Sequence, residues 1–264
     1  MKNKFILITG ASSGLGLEFA KLAAREEYNL ILIARRKAEL DKIAATLRTQ
    51  YGVLIHTLEK DLSLLSSPSE IFSEVNDNLK IPVFILINNA GFGSSGEFAQ
   101  SDIQTEINQI NVNVTSLTAL TRLFLPSMIE RNNGIIINVA STAAYQPGPY
   151  MSVYYATKSY VKNFTLALNN ELKDTNVKAC LFSPGPTNTD FQRRANITRS
   201  VIGRKQFMMT SEKAVRIGFK NALKGKRETI PGTMNKIGVM AVKIFPEKLI
   251  TRIVGYLNKN RFSK

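Results

Sequence analysis

The sequence predicts a doubly wound α/β fold, one parallel β-sheet held between two layers of helices. Two observations carry this. Short β-branched runs alternate with longer amphipathic stretches over the first 190 residues, the βαβα order that a parallel sheet with crossover helices requires. The runs are also apolar almost throughout instead of alternating with polar residues, as expected of strands buried on both faces.

The elements follow in order. Strands are read at KFILIT (4–9), LILIA (30–34), IHTLEKD (55–61), VFILINNAG (83–91), GIIINVAS (134–141) and KACLFSPG (178–185). Helical periodicity covers Gly16–Glu27, Ala38–Tyr51, Pro68–Leu79, Asp102–Arg131 and Tyr154–Asp174. Residues 192–230 read as an irregular, helical insertion after the sixth strand. Residues 233–264 read as an amphipathic tail broken at Pro246, because proline has no amide proton and steers the residue before it away from the helical region. A chain of 264 residues is long enough to bury one large core, so a single domain with a C-terminal helical extension is expected.

Charge is unevenly placed. Met1–Phe191 carries 17 basic and 17 acidic residues, whereas Gln192–Lys264 carries 18 basic and 3 acidic, so the whole net charge of +15 lies in the C-terminal part. Three readings compete: a solvated surface, contact with anionic lipid through apolar residues beside Lys243, Lys248, Arg252, Lys259 and Arg261, or an anionic substrate or its carrier. No nucleic-acid recognition motif accompanies the charge. The single cysteine, Cys180 in VKACLF, reads as a small buried hydrophobe, and with one histidine (His56) it makes no metal site. The N-terminal apolar run is too short for a secretory signal, so a cytoplasmic protein is expected, with membrane association at the surface as a variant.

After the first strand comes Thr9-Gly10-Ala11-Ser12-Ser13-Gly14-Leu15-Gly16, with glycines spaced G-x-x-x-G-x-G. Such a turn lets the backbone bend sharply and presents a helix N-terminus, with its free amides and positive dipole end, to a pyrophosphate. A glycine-rich turn with no ligand is the alternative. The second strand ends in Ala34-Arg35-Arg36, where a preference for NAD would place a carboxylate on the ribose 2′-hydroxyl. Two guanidiniums suit a 2′-phosphate instead, which points to NADP; a solvated basic loop is the other reading.

Further motifs follow: Asn88-Asn89-Ala90-Gly91 after the fourth strand, Ser141 after the fifth, Tyr154 and Lys158 placed 13 and 17 residues beyond Ser141, and Pro184-Gly185-Pro186-Thr187-Asn188-Thr189 after the sixth. In this order and spacing, from Lys4 to about Phe191, the set resembles the short-chain dehydrogenase/reductase family of the classical type, with stretches most like bacterial ketoacyl reductases and hydroxysteroid dehydrogenases. The resemblance implies a Rossmann-type domain over residues 1–232, with 192–230 framing the substrate and 233–264 as an extension.

It also implies roles. Tyr154 would be the proton donor, Lys158 would hold the nicotinamide ribose, Ser141 would hydrogen-bond the substrate carbonyl, and Asn113, chosen over Asn111, would organise a proton-relaying water. Gly10, Ser12, Ser13, Gly14, Leu15 and Gly16 would meet the pyrophosphate and Arg35 and Arg36 the 2′-phosphate. Asp61 and Leu62 would flank the adenine, with a helix N-cap as the alternative for Asp61. Asn89, Ala90 and Gly91 would line the ribose, and Pro184, Gly185, Thr187 and Thr189 the nicotinamide side, together with Tyr154 and Lys158. No metal is implied.

The chemistry agrees with those residue types. A free phenol, near pKa ~10, is a poor acid at neutral pH, and an ammonium close by should lower it. Tyr154 and Lys158 at i and i+4 share a helix face, whereas Tyr155 points about 100° away and Tyr160 lies beyond the motif; both are assigned to packing or subunit contact. Pro147–Ser152 and Gln192–Thr210 should frame the substrate, and Phe207, Met208 and Met209 suggest a wall for an apolar ketone or acyl carbonyl, with ordinary core or interface side chains as the other reading. The expectation is an NADPH-dependent carbonyl reductase, a homodimer or homotetramer by resemblance. A non-catalytic NADP-binding redox sensor or scaffold is the alternative.

Overall fold

The computed structural model describes residues 4–186 and 209–259. Its sheet contains β1 (Phe5–Thr9), β2 (Asn29–Ala34), β3 (Ile55–Glu59), β4 (Val83–Asn88), β5 (Gly134–Val139), β6 (Val177–Phe182) and β7 (Glu228–Thr229). The spatial order is β3-β2-β1-β4-β5-β6-β7, and every neighbouring pair is parallel. The order reverses between β1 and β4, so a crevice opens beyond the carboxyl ends of those two strands, where doubly wound sheets bind their ligands.

The continuous apolar strands bury both faces. Ile6, Ile8, Leu30, Leu32, Ile85 and Ile87 pack on one side with residues of α1 (Gly14–Arg25), α2 (Lys37–Tyr51) and α7 (Ser211–Leu223), among them Phe19, Leu40 and Phe219. Leu7, Ile31, Ile33, Leu86 and Ile136 pack on the other with α3 (Ser67–Ser73), α5 (Leu117–Glu130) and α6 (Ser152–Glu171), through Ile71, Leu120, Phe124 and Leu168. Each such fully buried side chain stabilises the fold by roughly 1.5–3 kcal/mol relative to exposure. Gly52 closes α2 at φ +66°, and Asp102 accepts from Thr105 N at 2.8 Å ahead of α4 (Ile103–Ile110).

Three elements depart from the sequence reading. The expected Pro68–Leu79 helix passes from α3 into a π-helix at Glu74–Asn78. The expected Asp102–Arg131 helix is interrupted between α4 and α5 by a wide π-turn at Asn111–Ser116. Its polar side chains reach outward instead of following the helix: Asn111 Nδ2 donates to Ser63 O (3.1 Å) and Ser116 Oγ to Leu62 O (2.7 Å). Such single π-turns recur at functional sites. The region 192–230 is also not wholly irregular and helical. Its described part contains α7 and the seventh strand, β7, which pairs with β6 at Leu181↔Glu228 and Phe182↔Thr229. A strand of two residues is too short to show a periodicity.

The tail breaks at Pro246 as expected, giving α8 (Thr233–Ile244) and α9 (Glu247–Lys259), with Phe245 extended at the joint (φ −84°, ψ 149°).

Candidate active site

The ends of β1 and β4 are tied together before they meet the crevice. Thr9 Oγ1 accepts from Asn89 N (3.0 Å) and Ala90 N (2.9 Å), while Asn89 Nδ2 donates to Thr9 O at 2.8 Å. The Asn89 side chain is therefore occupied in holding the glycine turn, although its residue still borders the crevice. Gly10 and Gly14 sit at φ +66° and +57°, in the left-handed region where a Cβ is strained. Gly16 does not border the crevice. A Cβ there would stand 2.2 Å from Gly10 O, so this glycine lets α1 seat against the turn.

Beyond the turn lies an open cavity of about 1050 Å³. One end is bounded by Gly10, Ser12, Ser13, Gly14 and Leu15 with Arg35, Arg36, Asp61 and Leu62; the other by Ser141, Tyr154, Lys158, Pro184 and Gly185, with Ala90 and Gly91 between. Arg36 Nη2 bonds both Ser12 O (3.1 Å) and Ser12 Oγ (3.2 Å), bracing the glycine turn from outside. Arg35 Nη1 lies 3.7 Å from Asp61 Oδ2 and is largely exposed. Asp61 is not the N-cap of α3. Its Oδ1 accepts from Ser63 N and Ser63 Oγ at 3.0 and 2.8 Å in a tight turn ahead of α3; partial burial raises its pKa, but these bonds and Arg35 together hold the carboxyl below the usual range. Thr187 and Thr189, with Phe207 and Met208, lie outside the described residues.

At the other end, Ser141, two residues past β5 and extended in backbone, starts a short 3₁₀ turn, Thr142–Tyr145. Ala143 N donates to Ser141 Oγ at 3.1 Å, and the Ser141 hydroxyl stands close enough to the Tyr154 phenol to lower its pKa. Lys158, one helical turn on in α6, donates from Nζ to Val139 O at 2.8 Å. Both Tyr154 and Lys158 are buried. Burial pushes the Tyr154 phenol up to about 12, with the Ser141 bond pulling it back in part. Burial alone pushes the Lys158 ammonium down to about 8. The expectation that the ammonium lowers the pKa of the phenol is thus corrected: burial is the largest cause and raises it, with Nζ 6.0 Å from the ring centroid.

Asn113 stands one layer behind the cavity. Its Nδ2 donates to Phe92 O (2.9 Å) and Thr157 Oγ1 (3.0 Å), and its Oδ1 accepts from Phe92 N (3.1 Å). It straps the loop after β4 to the first turns of α6. Gly91 makes this possible, since a Cβ there would lie 3.0 Å from Asn113 Oδ1 and 3.2 Å from Lys158 Nζ. Beneath, Asn88 and Asn138 face each other in register; Asn88 Nδ2 donates to Asn138 Oδ1 (2.9 Å) and Asn138 Nδ2 to Thr165 Oγ1 (3.0 Å). This buried ladder fixes β4, β5 and α6 to one another directly under the site.

The other two tyrosines separate as expected in one case only. Tyr160 stacks on Phe164 and pairs with Thr118 Oγ1 at 3.0 Å. Tyr155 packs over Gly148, but it also borders the cavity, edge-on to Tyr154 at 6.0 Å between ring centroids.

Sequence reasoning missed two contributors. Gln146 borders the cavity and has a buried Oε1 with no hydrogen-bond partner among the described residues. The larger omission is α8, whose Met234, Asn235, Gly238, Val239 and Val242 form a cavity wall. Asn235 Nδ2 donates to Pro231 O at 2.7 Å and its side chain lies over Gly185, where a Cβ would stand 2.3 Å from Asn235 Oδ1. The spacing of 235, 238, 239 and 242 was a readable stripe, but with apolar residues on the other faces it read as part of the tail.

Comparison with known proteins agrees with this geometry. The chain is 38% identical over 197 residues to the NADP-dependent 3-hydroxy acid dehydrogenase of Schizosaccharomyces pombe, covering 72% of this chain and 74% of that one. It is 32% identical over 179 residues to the very-long-chain 3-oxoacyl-CoA reductase-B of Danio rerio, covering 66% of this chain and 56% of the relative, so the match spans little more than half of that protein's length. Among solved structures, a short-chain dehydrogenase from Sphingobium yanoikuyae in complex with NADPH superposes with a TM-score of 0.81 at 30% identity, covering 94% of this chain and 95% of that one. The family model for short chain dehydrogenases matches residues 4–200, three-quarters of the sequence and every motif around the cavity; this chain belongs to the short chain dehydrogenase family.

Proposed function

We propose that the protein is an NADPH-dependent carbonyl reductase, or the corresponding alcohol dehydrogenase in reverse, with Asn113, Ser141, Tyr154 and Lys158 as its catalytic set. The observation that carries the reading is the Ser141–Tyr154 hydroxyl pair at the end of a glycine-lined cavity, with Lys158 on the same face of α6. The names of the relatives support it, since one is an NADP-dependent dehydrogenase and one solved structure holds NADPH.

The residues present fit the cofactor. Gly10 and Gly14 open the turn, Gly91 leaves a space that a Cβ would fill, and the N-terminus of α1 points its dipole at the cavity. Gly10, Ser12, Ser13, Gly14 and Leu15 would hold the pyrophosphate, Arg35 and Arg36 the 2′-phosphate, Asp61 and Leu62 the adenine, and Asn89, Ala90, Gly91, Lys158, Pro184 and Gly185 the remainder. When bound, NADPH supplies the hydride that reduces the carbonyl carbon. The chain supplies the proton. A phenol held near 12 remains protonated at neutral pH, so Tyr154 is stocked as the acid for reduction and is a scarce base for oxidation. Ser141, its oxygen already engaged by Ala143 N, is free to donate to the carbonyl oxygen and later to a tyrosinate. Lys158 holds its positive charge on the same face of α6 below about pH 8 and is positioned by Val139 O. Asn113 acts through Thr157, whose hydroxyl bonds Tyr154 O at 2.8 Å and fixes the first turn of α6. Gln146 Oε1 is an acceptor available to a substrate hydroxyl or amide.

The substrate class is an apolar ketone or ketoacyl compound, since Met151, Val239 and Val242 line the reacting end. Cytoplasmic operation as a homodimer or homotetramer is the accompanying reading. The lone buried cysteine suits a reducing compartment, and the exposed Ile103, Ile107 and Ile110 of α4 offer an apolar contact face. Peripheral contact of the basic C-terminal helices with anionic membrane belongs to the same reading. Loss of NADPH absorbance on mixing the protein with a panel of ketones tests the assignment. Turnover of some members supports it, and no consumption with any carbonyl, despite measurable NADPH binding, contradicts it.

A further inference from the structure

Helix α8 presents two different surfaces. Asn235, Val239 and Val242, at i, i+4 and i+7, face the cavity. Ile237, Met240 and Ile244, at i, i+3 and i+7, lie on the opposite side and are 55%, 54% and 74% exposed. Met234 is 77% exposed and also borders the cavity, so it stands at its rim. A helix with its side chains is about 10–12 Å across, and that single thickness separates the cavity from a bare apolar surface.

Past Pro246, α9 repeats the pattern. Its inner side is engaged: Ile250 is buried, Asn258 Nδ2 donates to Pro149 O at 2.9 Å, and Gly255 sits against Pro149. Leu249, Ile253 and Tyr256, again at i, i+4 and i+7, are exposed, as is Phe245 at the joint. Interleaved with these apolar side chains are Lys236, Lys243, Lys248, Arg252 and Lys259, against one acidic residue, Glu247.

We propose that the α8–α9 face docks onto an anionic lipid bilayer with the Met234 rim of the cavity turned toward it, so that the carbonyl substrate reaches Tyr154 from the membrane. The delivery role rests on the reductase reading; the docking does not. Charge complementarity selects the occupant. Apolar rows flanked by lysine and arginine suit the boundary between acyl chains and anionic headgroups, whereas a second copy of this face would set two surfaces of the same positive charge against each other. Among the described residues no helix is long and apolar enough to cross a membrane, so the contact is interfacial.

Deleting the tail is a poor test, because α8 is a wall of the cavity. The informative variant is Ile237→Asp with Ile244→Asp, both exposed and neither bordering the cavity. The full chain should sediment with vesicles of phosphatidylcholine containing roughly one-third phosphatidylserine about tenfold more than with phosphatidylcholine alone, and about 0.5 M salt should remove the difference. The double variant should lose at least about tenfold of this binding, keep its turnover of a water-soluble ketone, and lose turnover of a long-chain ketone dissolved in the vesicles. Equal binding to neutral vesicles, no binding, unchanged binding of the double variant, or a change in its oligomeric size with no change in vesicle binding overturns the proposal. Partition is scored without turnover, which separates the two ideas. Vesicle binding with no NADPH consumption upholds docking and removes the reductase reading with its delivery role; ketone reduction without vesicle binding does the reverse.

Discussion

Asn113 donates from Nδ2 to Thr157 Oγ1 at 3.0 Å, and through this bond the π-turn between α4 and α5 is locked to the helix that carries Tyr154 and Lys158. Asn113→Ala should remove the strap and leave Phe92 N and O without their partner. A cost of about 1–3 kcal/mol in stability follows from unsatisfied buried groups. The catalytic expectation is a fall in kcat of about tenfold or more with KM for the ketone little changed, since the reacting groups are misplaced and the substrate pocket is not. Thr157→Val should reproduce the kcat loss in milder form. Denaturant melts and steady-state kinetics on both variants check this, and a pure KM effect would speak against a positioning role.

The two arginines after β2 should behave differently. Among the described residues Arg35 pairs with Asp61 alone, at 3.7 Å on an exposed surface, so Arg35→Ala should raise KM for NADPH about tenfold and leave NADH nearly unaffected. Arg36 also braces Ser12 by two hydrogen bonds, so Arg36→Ala should weaken both cofactors. Equal losses of NADPH and NADH in Arg35→Ala would remove the 2′-phosphate assignment.

Lys158 should cost the cofactor-free protein stability. Its folded pKa is depressed from 10.5 to about 8 by burial, so the charged form is disfavoured in the fold. The penalty is full below about pH 8 and fades as pH rises toward 10.5, where the amine is neutral in both states. Lys158→Met should therefore raise the melting temperature at pH 6.5, by an amount equivalent to about 1–3 kcal/mol, with the gain shrinking by pH 10. It should abolish turnover. Calorimetry across that range is the check, and a variant less stable than the wild type at pH 6.5 contradicts the burial account.

Much of this was legible in the sequence because it depends on local rules. The strands KFILIT and LILIA declare themselves by continuous apolar character, and the glycine turn, Ser141, Tyr154 and Lys158 are picked out by the family resemblance that their order and spacing carry. What depends on depth was not legible. The i, i+4 spacing of Tyr154 and Lys158 gives a shared face but not how far both are removed from water, so the direction of the phenol's shift came out reversed. Strand β7 is too short to carry a pattern. The wall made by Asn235 and Val239 depends on α8 folding back over Gly185, a long-range contact to which periodicity is blind. Asn113 could be picked as a residue, yet its partners, Phe92 and Thr157, come from segments that only the fold brings together.

The most direct test of the central claim is Tyr154→Phe, which deletes one hydroxyl and preserves the packing against Met151 and Ala143. Measured with NADPH and the best ketone of a panel, kcat should fall by about 10²–10⁴-fold while NADPH binding, followed by fluorescence titration, stays within about twofold. A variant that keeps activity within about tenfold of the wild type would show that the proton comes from elsewhere and that the Ser141–Tyr154 pair is not the catalytic acid.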